Sequence, residues 1–371
     1  MSDTTNNGHP ADLGAAIDRA VNELHAKYES LDDGRLADYI PELAKADPDA
    51  FAIAFATTTG EVYEAGDSRT AFTMQSISKP FVYGAALERH GRTRVLAHVG
   101  VEPTGDAFNA IIKMDAANRP HNPCVNAGAI ATTGLIDTGD PAQSLNDILA
   151  MFSRYLAEPA RVDMAVFTSE RSTGHRNRAI AHLLHNFGMI DANVEQILDL
   201  YFQQCSINVT TRALAITAAT LANGGVNPIT NQRAVDAQYH RDNHTVNYTS
   251  GKYDYAGEWA YTVGLPAKSG ISGGTLAVVP GVGGFAVYSP RLDDRGHSVR
   301  GIKVCEDLSC QFGMHMFDAC LSADARLSRS MFVRREEPET DLIDPVTTDG
   351  ATQYEPDRGR APEPGPESAD D

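Results

Sequence analysis

The sequence predicts an α+β fold, a mixed sheet flanked by helices with a helical lobe inserted between its strands. Three observations carry this. Strand-type patterns sit near both ends of the body, at 51–64 and 275–288. Helix-type patterns fill the stretch between them, which points to one sheet assembled from early and late segments. Of the 371 residues, 42% are hydrophobic, enough to bury a sizeable core.

Residues 14–30 (GAAIDRAVNELHAKYES) place Ile17, Val21, Leu24 and Tyr28 at helical spacing. Residues 51–64 read as a hairpin: FAIAFA, a Thr-Thr-Thr-Gly turn, then EVYEAG. A helix is expected from Ser76 to Arg89. Its first turn should be loosened, because Pro80 lacks the N–H that would bond the Ser76 carbonyl. Further helices are expected over 145–157, over 177–187 with Gly188 as the stop, and over 209–223 with Gly224 and Gly225 as the stop. TLAVVPGVGGFAVY at 275–288 gives two short strands around a Gly-rich turn. A last helix is expected over 305–325.

The formal net charge is −18, with 49 Asp and Glu against 31 Lys and Arg. The excess is concentrated at the end. Residues 336–371 hold twelve acids against Arg358 and Arg360, a net −10, which leaves −8 for everything before. That segment also holds six prolines and only Leu342, Ile343, Val346 and Tyr354 as sizeable apolar residues. It cannot bury enough surface to offset its ordering entropy, so a disordered, solubilising acidic tail is expected. The expected organisation is a flexible segment over 1–13, one catalytic domain over 14–330, and the tail over 336–371. Negative charge argues against nucleic acid and against anionic membrane as partners. No run of 18 apolar residues occurs, and the polar start of the chain lacks a basic-then-apolar leader. Cys124, Cys205, Cys305, Cys310 and Cys320 are odd in number and irregularly spaced, which points to free thiols and a cytoplasmic protein.

Ser76-Ile77-Ser78-Lys79 is an S-x-x-K element. On a helix this spacing puts the serine and lysine on one face. A serine hydroxyl needs a neighbour to take its proton, and a lysine with a depressed pKa can do so. Alone, the motif is expected about once by chance in a chain of this length. Lys268-Ser269-Gly270 lies 192 positions later. S-x-x-K early and K-[ST]-G late is a pattern of serine acyl-transfer enzymes. Ser206-Ile207-Asn208 matches the middle S-x-N element and reads equally well as a turn between helices.

Several longer blocks then make the chain resemble the serine-dependent glutaminases. They are ADYIPEL at 37–43, FTMQSISKPF at 72–81, KMDAANRPHNPCVNAGAI at 113–130, YFQQCS at 201–206, ATLANGG at 219–225 and GLPAKSGISGG at 264–274. The resemblance spans about residues 14–325. It implies hydrolysis of L-glutamine to L-glutamate and ammonia on a fold similar to serine β-lactamases and penicillin-binding proteins. Position by position it implies Ser76 as nucleophile, Lys79 as the group that takes its proton, and Tyr39 and Tyr253 as active-site tyrosines. Tyr253 is the one to relay a proton to the leaving ammonia. The backbone N–H groups of Ser76 and Ile271 would form the oxyanion hole. Glu170 would meet the substrate ammonium, and Asn126, Asn177 and Tyr201 its carboxylate. Gln75, Lys268, Ser269 and Gly270 take supporting positions. Because Gly174 separates Glu170 from Asn177, Glu170 is expected on a loop and Asn177 at the start of the following helix.

Two features depart from the resemblance. Lys252 precedes Tyr253 where relatives typically carry an apolar residue such as Met. A charge there would either lower the tyrosine's pKa or point to solvent. Residues 232–247 are unusually polar, and the additional domains some relatives carry are not expected. No cofactor and no metal are expected. His182 and His185 share a helix face, but no H-E-x-x-H and no acidic or cysteine partner stands at metal spacing. GVGGF opens no helix, so dinucleotide binding is not expected. The expected partners are L-glutamine and further copies of the chain, as a dimer or tetramer. The rival readings are a penicillin-recognising serine peptidase or β-lactamase, and a non-catalytic amino-acid-binding protein on the same fold.

Overall fold

The computed structural model describes residues 10–105, 114–191 and 193–318. The expected acidic tail, and residues 1–9 of the expected flexible start, lie outside the described residues. Helix α1 (Pro10–Tyr28) begins four residues before the expected start, with a proline whose missing N–H costs a helix nothing in its first turn. Strands β1 (Ala52–Thr57) and β2 (Val62–Gly66) form the expected hairpin. A short strand β3 (Phe72–Thr73) leads into a 3-10 turn over Gln75–Ser78 and then helix α2 (Lys79–Leu96). The loosened turn thus precedes the α-helix, and Pro80 sits where no donor is needed.

The helical lobe contains α3 (Asn126–Ile136), α4 (Pro141–Leu156), α5 (Met164–Thr173), α6 (His175–Asn186) and α7 (Val194–Cys205). A two-residue strand β4 (Asn208–Val209) then pairs with β3. Helix α8 (Thr211–Ala222) follows, then α9 (His240–Ser250) and α10 (Ala256–Thr262). Strands β5 (Ala267–Ser269), β6 (Gly274–Val279) and β7 (Gly283–Tyr288) complete the sheet, and α11 (Val299–Phe312) covers it.

The α+β class stands, and the five-stranded sheet has the order β2-β1-β7-β6-β5. Every pairing in it is antiparallel, which replaces the mixed sheet expected. The reason is local: β1–β2, β5–β6 and β6–β7 are joined by short turns, and a parallel pair needs a long crossover. Early β1 pairs with late β7 from Ala52↔Tyr288 to Thr57↔Gly283, so the two ends of the body meet at the sheet centre.

The two faces differ in side-chain size. Ala52, Ala54 and Ala56 face one core with Leu214, Ala218 and Leu221 of α8. Ile53 and Phe55 face the other with Ile17, Val21 and Leu24 of α1 and Val304 and Leu308 of α11. Small residues let α8 approach closely. At Gly284 an added Cβ would lie 2.3 Å from the Ala218 Cβ. Gly284→Ala is therefore expected to cost about 1–3 kcal/mol through overpacking. A thermal melt checks this, and an unchanged midpoint would show the approach to be looser.

Two elements end differently from expectation. The last helix runs Val299–Phe312 rather than 305–325, because Ser298 caps its start by accepting from the Gly301 N–H and Gly313 ends it in the left-handed region. Residues 319–325 lie outside the described residues. Glu170 lies on α5, not on a loop. Asp163 caps that helix, accepting from the Ala165 and Val166 N–H groups, and the break at Gly174 falls after Glu170. Asn177 is in the first turn of α6, as expected.

Candidate active site

The turn that carries Ser76 is clamped from three sides. The Met74 N–H donates to the Ile207 carbonyl at 2.8 Å, and β3 pairs Thr73 with Asn208. Gly270 passes so close that a Cβ there would stand 2.7 Å from the Met74 carbonyl oxygen. Between these supports Gln75 takes φ = +50°, a left-handed conformation costly for a residue with a side chain. It turns the chain so that Ser76 reaches a cavity of about 340 Å³.

Beside Ser76 on that wall stand Tyr39, Gln75, Asn126, Glu170, Asn177, Tyr201 and Ile271. These come from the 37–43 segment, the turn that carries Ser76, α3, α5, α6, α7 and the β5–β6 turn. Thr173, Arg176 and Cys205 line the cavity too, and the sequence reading did not single them out. The signal for Arg176 was its place one residue before Asn177 on the same helix start.

Lys79 is fully buried, and its Nζ donates to Asn126 Oδ1 at 2.6 Å and to the Cys124 carbonyl at 3.1 Å. Asn126 Nδ2 in turn donates to Asn177 Oδ1 at 2.9 Å. Burial pulls the Lys79 amine down to about 8, against the opposing pull of Cys205, Cys124 and Glu170. Burial also pushes the Glu170 carboxyl up to about 8, partly offset by Lys79 and by a hydrogen bond with Gln75. Glu170 Oε2 has no partner among the described residues. A buried carboxylate oxygen without a donor is a seat for a cationic group.

Tyr253 stands behind the cavity wall, also in the left-handed region at φ = +54°. Its hydroxyl accepts from Lys268 Nζ at 2.8 Å and also hydrogen-bonds with Ser76. Burial raises the tyrosine well above its ordinary range, so it keeps its proton. Burial holds Lys268 well below its ordinary range, with Lys79 and Lys252 adding to the effect. The same amine donates to the Ser269 carbonyl at 2.8 Å. The Ile271 N–H makes no backbone hydrogen bond among the described residues. Tyr39, half exposed, sits at the rim.

Lys252 overturns both expectations made for it. It does not point to solvent: it is buried, with Nζ 4.1 Å from the Trp259 ring centroid and 3.5 Å from Thr275 Oγ1. Nor is Tyr253 lowered. Burial governs that hydroxyl, and Lys252 faces the other way, toward α10 and β6. Ser206 and Asn208 lie where α7 turns into β4, and neither lines the cavity beside Ser76. Among the described residues no group of three or more His, Cys, Asp or Glu side chains is placed to hold a metal, and His185 faces the Ile190 carbonyl. Cys124, Cys205, Cys305 and Cys310 are free thiols. No helix among the described residues is long and apolar enough to cross a membrane.

The chain matches the Glutaminase family model over residues 34–317. A glutaminase of Nostoc sp. is 58% identical over 318 residues, 86% of this chain and 95% of that one. A glutaminase of Microcystis aeruginosa is 55% identical over 80% of this chain and 88% of its own. Among solved structures, that of the probable glutaminase ybaS superposes with a TM-score of 0.79 at 41% identity, over 82% of this chain and 98% of that one. Mglu in its glutamate form superposes with a TM-score of 0.78 at 38% identity, over 81% and 70%. These likenesses carry the α+β, β-lactamase-like fold with them. Sequence and fold agree over nearly all of the body: the chain belongs to the glutaminase family.

Proposed function

We propose that Ser76, Lys79 and Tyr253 carry out the reaction that family membership assigns to the chain, hydrolysis of L-glutamine to L-glutamate and ammonia. The observation that supports this most is convergence. Residues 39, 75, 76, 126, 170, 177, 201 and 271, far apart in sequence, line one cavity of amino-acid size. In this reading Glu170 takes the substrate ammonium, and Asn126, Asn177 and Tyr201 take its carboxylate. The side-chain amide then meets Ser76.

The Lys79 amine accepts the Ser76 hydroxyl proton as Oγ bonds to the amide carbon. The Ser76 and Ile271 N–H groups stabilise the oxyanion of the tetrahedral adduct, an effect typically worth ~3 kcal/mol per donor. Tyr253 gives its proton to the departing nitrogen, and the Lys268 donor stabilises the phenolate oxygen left behind. Water then cleaves the glutamyl ester by the reverse path and restores Ser76. Homo-oligomerisation as a dimer or tetramer and a cytoplasmic location complete the proposal. Free buried thiols support a reducing compartment.

The test is steady-state ammonia release from glutamine, asparagine and a chromogenic β-lactam. Glutamine turnover alone supports the reading, and β-lactam turnover alone overturns it. The pH dependence is a second check. The free enzyme must present Lys79 as the amine and Glu170 as the carboxylate, and both groups lie near 8. Both are protonated below that value, so kcat/KM for glutamine is expected to rise with pH through about 8. A flat profile between pH 6 and 9 would exclude these two groups as its determinants.

A further inference from the structure

His297 is a buried residue far in sequence from the motifs, and it is not among the residues lining the cavity. Its backbone is fixed by a tight turn. The His297 N–H donates to Asp293 Oδ1 at 2.8 Å and the Asp293 N–H to the His297 carbonyl at 2.8 Å, while the next residue, Ser298, caps α11. The imidazole is therefore delivered to one place. There Nδ1 lies 3.1 Å from Ser269 Oγ, while Nε2, buried, has no hydrogen-bond partner among the described residues. Its faces pack against two tyrosines, Tyr253 with centroids 6.5 Å apart at 19° and Tyr255 at 5.5 Å.

We propose that His297 is a positioning residue for the general acid: hydrogen-bonded to Ser269 and packed on the Tyr253 ring, it holds Tyr253 against Lys268 and Ser76. This rests on the reading in which Tyr253 protonates the leaving nitrogen. Tyr253 needs such a support because its left-handed backbone is a strained state, typically 1–3 kcal/mol above the relaxed one, that persists only when its surroundings over-determine it. The Lys268 amine restrains the hydroxyl end of that side chain. His297 restrains its ring and, through Ser269, the residue next to Lys268. A neutral imidazole suits the role because one ring nitrogen pairs with the Ser269 hydroxyl while the flat ring packs on Tyr253. Burial, with the Lys252 and Lys268 amines adding to it, drives the ring down to about 2, so it stays neutral across the working range.

The test compares His297→Ala, His297→Phe and His297→Asn by ammonia release and thermal melting. Ala removes both the hydrogen bond to Ser269 and the ring. Phe keeps a ring between the tyrosines without polar atoms. Asn restores one donor and one acceptor on a short planar side chain. Ala and Phe are expected to lower kcat about 10- to 100-fold, in the range of a mispositioned general acid. KM should stay within about twofold, since the groups proposed for the amino-acid head do not touch His297. Asn should recover most of the loss. If Ala fails to fold, Phe and Asn alone decide the matter. Phe with wild-type kcat, Asn no better than Phe, or kcat and KM changing together would each overturn the inference while leaving the glutaminase reading intact. A wild type that releases no ammonia from glutamine overturns both.

Discussion

Ser76→Ala is expected to lower ammonia release from glutamine by about 10⁵- to 10⁶-fold, the scale seen when the nucleophile of a serine hydrolase is removed. The size follows from what the variant keeps. Its backbone N–H remains, and so do Ile271, Glu170, Asn126, Asn177 and Tyr201 on the cavity wall. Binding and oxyanion stabilisation survive, while the covalent route disappears. Glutamine affinity, read by calorimetry on the variant, should therefore stay within a few-fold of the wild-type KM. Lys79→Met should be similarly inactive, and the double variant no worse than either single one, because groups that act as a unit are not additive. Ser76→Ala at a tenth of wild-type activity would remove Ser76 from the chemistry. A wild type no more active than Ser76→Ala would favour the non-catalytic amino-acid-binding reading.

The parts of this site legible in the sequence were those with local signals. S-x-x-K and K-S-G declare themselves by spacing, and the hairpins by alternation and Gly-rich turns. That these segments meet follows from β1 pairing with β7, which the placement of strand patterns at both ends already suggested. Errors arose where distant packing decides. Gly174 does break the helices, yet the cap at Asp163 extends α5 as far as Thr173 and carries Glu170 with it. Lys252 could be read as charged and exposed because Trp259 and Thr275, which enclose its amine, lie seven and 23 positions away. His297 carries no motif at all. Its role depends on Ser269 and Tyr253, 28 and 44 positions earlier. The left-handed backbones of Gln75 and Tyr253 are likewise invisible in their residue types, since neither is a glycine.

Glu170→Gln is the second large effect, and it should appear in KM rather than kcat. The site spends stability to keep this carboxyl dry: burial pushes it up to about 8, and Oε2 has no donor among the described residues. In the proposed reading a substrate ammonium supplies both the missing donor and the missing charge. In the Glu170→Gln variant an amide NH₂ takes one of the carboxylate oxygen positions. If it faces the ammonium, acceptor and donor become two donors. Removing one partner of a buried, hydrogen-bonded charge pair costs about 2–5 kcal/mol, so KM is expected to rise roughly 30-fold to several thousand-fold. Two further readouts separate loss of the ammonium partner from general damage. Glutaramate is glutamine without its α-amino group, so its turnover should fall far less than that of glutamine. The acid limb of kcat/KM should also move below about 8. Glu170 raises the pKa of Lys79, so its removal lets the amine lose its proton at lower pH. A KM within threefold of wild type, or equal losses on glutamine and glutaramate, would show that the substrate's ammonium is held elsewhere.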